Sequence, residues 1–342
     1  MSTRRLPVYL LLDCSESMAG PAIEDVQRGL DTLYKSLRSD PQALEMAYIS
    51  VITFSRYAKQ VVPLTDVVQF QPPKLTVQAG TALGSALDLL RIRLEKEVVK
   101  NSPTVKGDFK PLVFLLTDGQ PTDDWEPAAQ RLRAANSTKI ANIYAIGCGP
   151  DADVEILRSI TDIVLTMPEM DAESIRKVFV WLSQSTSAAS TRFGSGNANT
   201  PMEAPPLPEG LEIAPASSGY GLSRRNERPR QVFLQSRCSR TKSPYLMRFA
   251  RQGNRYVAIA AHKLDMVEEG DDELMPTINS SELDGCPDCP YCSNPVAAVC
   301  DCGAIFCDNP TVGTSVTCPG CKSTLHRSNA SSGSFDIKRS QG

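Results

Sequence analysis

With 342 residues, the chain is long enough for two domains, one of them with a sizeable core. Its net charge of −3 gives no argument for a nucleic-acid or membrane surface, and no run reaches the roughly 18 apolar residues of a membrane span. Of 11 cysteines, eight fall between Cys286 and Cys321 at metal-type spacings, which reads as zinc in a reducing, cytoplasmic compartment and excludes a disulfide-stapled secreted fold.

The first element is the apolar run Leu6–Leu12. Arg4 and Arg5 before it give the outline of a leader peptide, but the run is short and has no small-residue cleavage site. It passes directly into Asp13-Cys14-Ser15-Glu16-Ser17, so it reads as a buried strand. Such a strand places a carboxylate and two hydroxyls at the carboxyl edge of a sheet, where open α/β sheets bind ligands. An ordinary Ser/Asp turn is the bland alternative. Two further segments favour a site. Gly80-Thr81-Ala82-Leu83-Gly84 opens a helical run with a third hydroxyl, and the strand Leu112–Leu116 ends in Thr117-Asp118-Gly119 with a second carboxylate. Hard oxygen donors with modest charge suit Mg²⁺ or Mn²⁺. In their order, Asp13, Ser15, Ser17, Thr81 and Asp118 resemble the metal-ion-dependent adhesion site of von Willebrand factor A domains.

Strand patterns fall at 6–12, 46–54, 112–117, 140–147 and 162–166, with an edge strand at 59–64. Helical periodicity falls at 22–38, 82–99, 126–136, 152–160 and 171–183. The alternation implies an α/β, doubly wound, mostly parallel sheet covered on both faces. This is the Rossmann-like build of a von Willebrand A domain, expected over residues 1–184. Asp123 or Asp124 is expected to cap the helix that follows, and Trp125 to be a packing anchor or a partner contact. Cys14 and Cys148 read as packed thiols rather than reactive ones.

Residues 185–230 are rich in Ser, Pro and Gly and read as a flexible linker whose hydroxyls could accept phosphates. Its cluster Arg224, Arg225, Arg228 and Arg230 reads as solvated. A small β-rich, zinc-ribbon-like domain is expected over 231–326, with strands at 232–234, 244–249 and 255–261. An acidic tether at 268–273 leads to the cysteines, and 327–342 reads as a disordered tail.

Cys289-Pro-Tyr-Cys292 and Cys318-Pro-Gly-Cys321 are two knuckles able to supply four thiolates to one tetrahedral Zn²⁺. Cys286, Cys300, Cys302 and Cys307 are then left for a second ion, with His326 as a substitute ligand. The ion's role reads as structural, since structural zinc contributes about 10–16 kcal/mol of apparent folding free energy near neutral pH. A RING-type ligase module fits poorly, because Cys307 lacks a partner two residues on.

The run Phe114 to Trp125 and the segment Cys238 to Leu246 are similar to stretches of TerY-like proteins of bacterial tellurium-resistance clusters. That resemblance implies a von Willebrand A domain joined to a zinc-binding module in the cytoplasm. It also implies partners among Ser/Thr protein kinases and metal-dependent protein phosphatases in stress or phage-response signalling. Ser15, Ser17 and Thr81 are expected to touch the cation, and Asp13 and Asp118 to hold it through water. The function expected is a non-enzymatic adaptor, with no nucleic-acid or membrane partner. His262 and His326 are both far in sequence from Ser15, which therefore lacks a base for nucleophilic catalysis. Two competing readings are a chelatase subunit, although the chain has no Gly-x-x-x-x-Gly-Lys-Ser/Thr, and a structural subunit of a nucleic-acid repair or transcription complex.

Overall fold

The computed structural model describes residues 4–118, 120–136, 140–149, 152–194, 205–214, 231–264, 277–308, 315–326 and 334–338. They form two compact units, one built chiefly on residues 1–222 and the other chiefly on 223–342.

In the first unit, β1 (Leu6–Asp13), β2 (Ala47–Phe54), β3 (Ala58–Asp66), β4 (Leu112–Thr117), β5 (Asn142–Cys148), β6 (Ile163–Met167) and β7 (Glu212–Ile213) make one sheet. Its order is β3-β2-β1-β4-β5-β6-β7, parallel except for the two edge strands. Every residue of β1 and β4 is buried, as a sheet covered on both faces requires. Side chains alternate between the faces. Tyr9, Leu11, Val113 and Leu115 join one core with α3 (Leu83–Glu97), α4 (Trp125–Asn136) and α5 (Val154–Ile160). On the other face, Phe114 and Tyr144 meet Trp181 edge-on, at 6.1 and 5.7 Å between ring centroids. Trp181 lies on α6 (Ala172–Gly194), which packs with α1 (Pro21–Ser39) and α2 (Pro41–Met46). Gly29 of α1 permits that approach, because a Cβ there would stand 2.2 Å from the Phe179 ring.

Two stretches read as linker differ from expectation. Helix α6 runs to Gly194 rather than stopping near 183. Its Ser183, Thr186 and Ser190 hydroxyls donate to the carbonyls four residues back, which lets polar side chains lie buried on a helix face. Further on, Glu212–Ile213 pairs antiparallel with β6 as the seventh strand, and the flanking Leu211 and Ala214 are buried. Residues 195–204 and 215–230, including the arginine cluster, lie outside the described residues.

The second unit contains β8 (Gln231–Arg237), β9 (Pro244–Gln252), β10 (Arg255–Lys263), β11 (Thr277–Asn279), β12 (Leu283–Asp284), β13 (Ala297–Val299), β14 (Ile305–Cys307), β15 (Ser315–Thr317), β16 (Thr324–His326) and β17 (Asp336–Lys338). Six form a sheet in the order β12-β10-β9-β8-β14-β13, and β11–β17 and β15–β16 are separate pairs. The tail expectation is corrected over 336–338, where Ile337 opposes Ile278 and both are buried in the same core. The acidic tether lies outside the described residues.

Candidate metal centres

β1 is followed by a helix on one face of the sheet and β4 by a helix on the other. The crevice between such strands, at their carboxyl ends, is the topological switch point where α/β sheets take ligands. Asp13 is the last residue of β1, and Asp118 directly follows β4. The Thr117 hydroxyl, ending β4, donates to Asp13 Oδ2 at 2.5 Å. Thr81, on the loop before α3, is tied to the Asp118 loop at both ends of its peptide unit: its N–H donates to the Thr122 hydroxyl at 2.9 Å, and its carbonyl accepts from the Thr122 N–H at 3.0 Å. The next residue, Ala82, donates to the Ser55 carbonyl beyond β2. Asp13, Thr81 and Asp118 are thus brought together at one rim of the first unit. Ser15 and Ser17 stand on the turn directly after Asp13, their hydroxyl oxygens 2.9 Å apart.

Burial gives this rim its chemistry. Asp13 is 1 % exposed, Asp118 8 % and Thr81 0 %. Two buried carboxylates repel one another unless a cation joins them. The Thr81 hydroxyl oxygen is buried with no hydrogen-bond partner among the described residues, at a cost of about 1–3 kcal/mol. A dication bound by oxygen ligands would relieve both, so the residues fit Mg²⁺ or Mn²⁺.

The cysteines sort into two groups: Cys238, Cys289, Cys292 and Cys307, and Cys300, Cys302, Cys318 and Cys321. Within each, all four sulfurs lie within 4.8 Å of one another. This corrects the sequence-based pairing, in which Cys289, Cys292, Cys318 and Cys321 shared one ion and Cys286, Cys300, Cys302 and Cys307 the other. The two Cys-Pro-x-Cys knuckles belong to different groups, and Cys286 belongs to neither. The sheet is the reason. β14 pairs parallel with β8 through Phe306 and Arg237, which carries Cys307 to Cys238. The Ser239 N–H then donates to the Cys307 sulfur at 3.3 Å. A tetrahedral ion with Zn–S bonds of about 2.3 Å separates its sulfurs by about 3.8 Å. Cys292–Cys307 at 3.6 Å, Cys300–Cys321 at 3.6 Å and Cys302–Cys318 at 3.7 Å are close to that edge.

Family models match both units: von Willebrand factor type A domain over residues 8–176, and TerY-C metal binding domain over residues 229–342. The chain is a TerY-like von Willebrand factor A protein. Among solved structures, this TerY-like chain is similar to proximal thread matrix protein 1 from the mussel byssus, at 19 % identity and a TM-score of 0.40, over 53 % of this chain and 48 % of that one. It is also similar to the pilus adhesin SpaC from Lactobacillus rhamnosus GG, at 14 % identity and 0.43, over 55 % and 31 %. A third is the ArnB paralog VWA2 from Sulfolobus acidocaldarius, at 19 % identity and 0.36, over 54 % and 46 %. The chain therefore spans less than half the length of each. No curated protein matches it.

Sequence reasoning missed Cys238 as a cluster member of the TerY-C domain, although a signal was present. Cys238-Ser-Arg-Thr-Lys-Ser243 has the same backbone turn as Cys289-Pro-Tyr-Cys-Ser-Asn294 and Cys318-Pro-Gly-Cys-Lys-Ser323. In each, the first cysteine's N–H donates to the carbonyl five residues on and its carbonyl accepts from the N–H four residues on. In each, the fifth residue is left-handed: Lys242 at φ 63°, Ser293 at 56° and Lys322 at 67°. Thr241 stands where the other knuckles carry a second cysteine. Against burial, which raises its pKa, the Thr241 hydroxyl and the N–H groups of Thr241 and Arg240 hold the Cys238 thiol down to about 6. Ser323, through its hydroxyl and N–H, does the same for Cys321, also to about 6.

Two acids and two thiols complete the von Willebrand rim. Asp123 accepts from the N–H groups of Gly84 and Ser85 at 3.0 and 2.9 Å, so it caps α3 and not the helix that follows it in sequence. Glu16, 1 % exposed, accepts from the Gly80 N–H at 2.7 Å and braces the two loops, a role not read from its place between ligand positions. Burial, then the charge of Asp13, pushes the Cys14 thiol far up. Burial followed by Asp118 and Asp13 does so for Cys148, keeping both protonated.

Proposed function

We propose that this protein is a non-enzymatic, metal-dependent interaction adaptor of the cytoplasm. Asp13, Ser15, Ser17, Thr81 and Asp118 would hold Mg²⁺ or Mn²⁺, and the TerY-C cysteines would hold Zn²⁺ structurally. When bound, the rim cation supplies a Lewis-acidic position for a carboxylate from another protein. The chain's own part is to keep that ion electrophilic. Two carboxylates against a dication leave the site near neutral, and hydroxyls provide the other contacts without added charge. A partner Asp or Glu then makes a charged, partly desolvated contact, which favours orientation and specificity.

The observation that carries this reading is the buried Thr81 hydroxyl, without a hydrogen-bond partner among the described residues, at the rim that also buries Asp13 and Asp118. The partners we propose, from resemblance to TerY-like proteins, are a Ser/Thr protein kinase and a metal-dependent protein phosphatase of a bacterial stress or phage response. The test is capture of such a kinase and phosphatase by the full chain in Mg²⁺, in EDTA, and with Asp118→Ala. Binding only in Mg²⁺ and only by the unaltered chain supports the reading. Binding that survives both EDTA and Asp118→Ala, with the variant folded, overturns it.

A further inference from the structure

The two cysteine groups offer the same donor set in unlike surroundings. In the first, Cys238, Cys289 and Cys307 are buried and Cys292 is half-buried. In the second, Cys300 and Cys318 are buried but Cys302 and Cys321 are exposed. The first group sits within a core that includes Val232, Leu234, Tyr245, Met247 and Phe249. Among the described residues the second adjoins a core of Cys300, Phe306 and Cys318, with Ala298, Ala304, Val316 and Leu325 against it.

Connectivity sharpens the contrast. The first group ties the end of β8, the knuckle 289–292 and the end of β14, so its ion would clamp strands of the six-stranded sheet together. The β8–β14 pairing there has a single residue pair, Phe306 with Arg237. The second group joins the turn between β13 and β14 to the β15–β16 hairpin, whose strands have three residues each and, among the described residues, pair with one another alone. An isolated hairpin of that size has marginal stability in water.

We propose that the two groups are zinc centres of unequal lability: the Cys238 centre holds its ion as part of the sheet, and the Cys300 centre exchanges its ion with soluble thiolate or chelating ligands. This rests on the zinc reading above and goes beyond it. Exchange proceeds by substitution. An incoming donor would take the place of exposed Cys302 or Cys321, whose sulfur would leave with its electron pair as a thiolate. Successive substitutions would pass the ion to the chelator and leave the four cysteines metal-free. The β15–β16 hairpin is then a metal-conditional element, ordered while the ion is bound, and the six-stranded sheet persists without it.

The test uses the full chain loaded with Zn²⁺ in excess Mg²⁺, with metal content measured and release to a chromogenic chelator followed in time. Two zinc ions per chain are expected, released in two phases of equal amplitude whose rates differ at least tenfold. Cys302→Ser and Cys321→Ser should each abolish the fast phase and leave the slow phase and the thermal transition of the sheet in place. Cobalt substitution checks that both ions are thiolate-bound, through the charge-transfer absorption. Two ions leaving in one phase, or a fast phase that survives Cys302→Ser and Cys321→Ser, overturns the unequal-lability proposal and leaves the zinc reading standing. A chain that binds no thiolate-ligated metal overturns the zinc reading itself.

Discussion

Replacing Thr81 with valine removes one oxygen and keeps the side chain's shape. The hydroxyl is fully buried and has no hydrogen-bond partner among the described residues, so without metal it is a net cost of about 1–3 kcal/mol. Valine removes that cost and adds a buried methyl worth about 0.8 kcal/mol. In EDTA, Thr81→Val should therefore be more stable than the parent by about 2–4 kcal/mol, a rise in Tm of at least about 4 °C for a unit of this size. Mg²⁺ at a hundred times its Kd adds about 2.7 kcal/mol to the parent and far less to a variant that lacks the ligand. The variant's advantage should therefore shrink by about 2 kcal/mol or more in Mg²⁺. Thermal unfolding of both proteins with EDTA and with Mg²⁺ tests this, following the first unit's transition. A variant destabilised equally in both media would refute the reasoning, because the hydroxyl would then have a structural partner.

Gly29→Ala should destabilise the first unit by about 1–3 kcal/mol, because the added methyl meets the Phe179 ring at 2.2 Å; urea unfolding measures it, and Gly29→Ala with Phe179→Leu should recover part of the loss. Asp108 accepts from Arg5 through both carboxylate oxygens, at 2.9 and 2.6 Å, and from the Val99 N–H at 2.8 Å. Asp108→Ala should cost about 2–3 kcal/mol in the same assay, and a loss under 0.5 kcal/mol would contradict this accounting. Zinc affinity should rise with pH, since a thiol must lose its proton to bind. Burial holds Cys318 at about 11, so zinc displaces its proton at pH 7, whereas Cys238 and Cys321, at about 6, are already largely ionised there. Weakly buffered titration with a pH indicator should record proton release at pH 7, and its absence would contradict the assignment.

Much of the α/β unit was legible because its strands are continuous apolar runs and its helices have a 3.6-residue period. Leu6–Leu12 and Leu112–Thr117 emerge as strands within a residue of their reading. What failed was composition used as a substitute for context. Ser183 to Ser190 has the makeup of a linker, yet its hydroxyls are satisfied by the helix's own carbonyls. Glu212–Ile213 is too short to show a period and is a strand only because β6 offers an open edge. The cysteine grouping was hidden for another reason. Spacing identifies a knuckle, but which knuckles share an ion depends on strand order, and the β8–β14 pairing is non-local. Cys238 looked isolated because its knuckle carries Thr241 in place of a second cysteine. Aligning the three six-residue turns would have found it.

Binding of Mn²⁺ to the full chain, followed by the loss of the free ion's electron paramagnetic resonance signal, tests the central claim most directly. With the cysteine centres first filled by Zn²⁺, the account predicts one Mn²⁺ per chain, displaced by Mg²⁺ and lost in both Thr81→Val and Asp118→Ala. An unaltered chain that takes up no Mn²⁺, or folded variants that bind it as tightly as the parent, would contradict it.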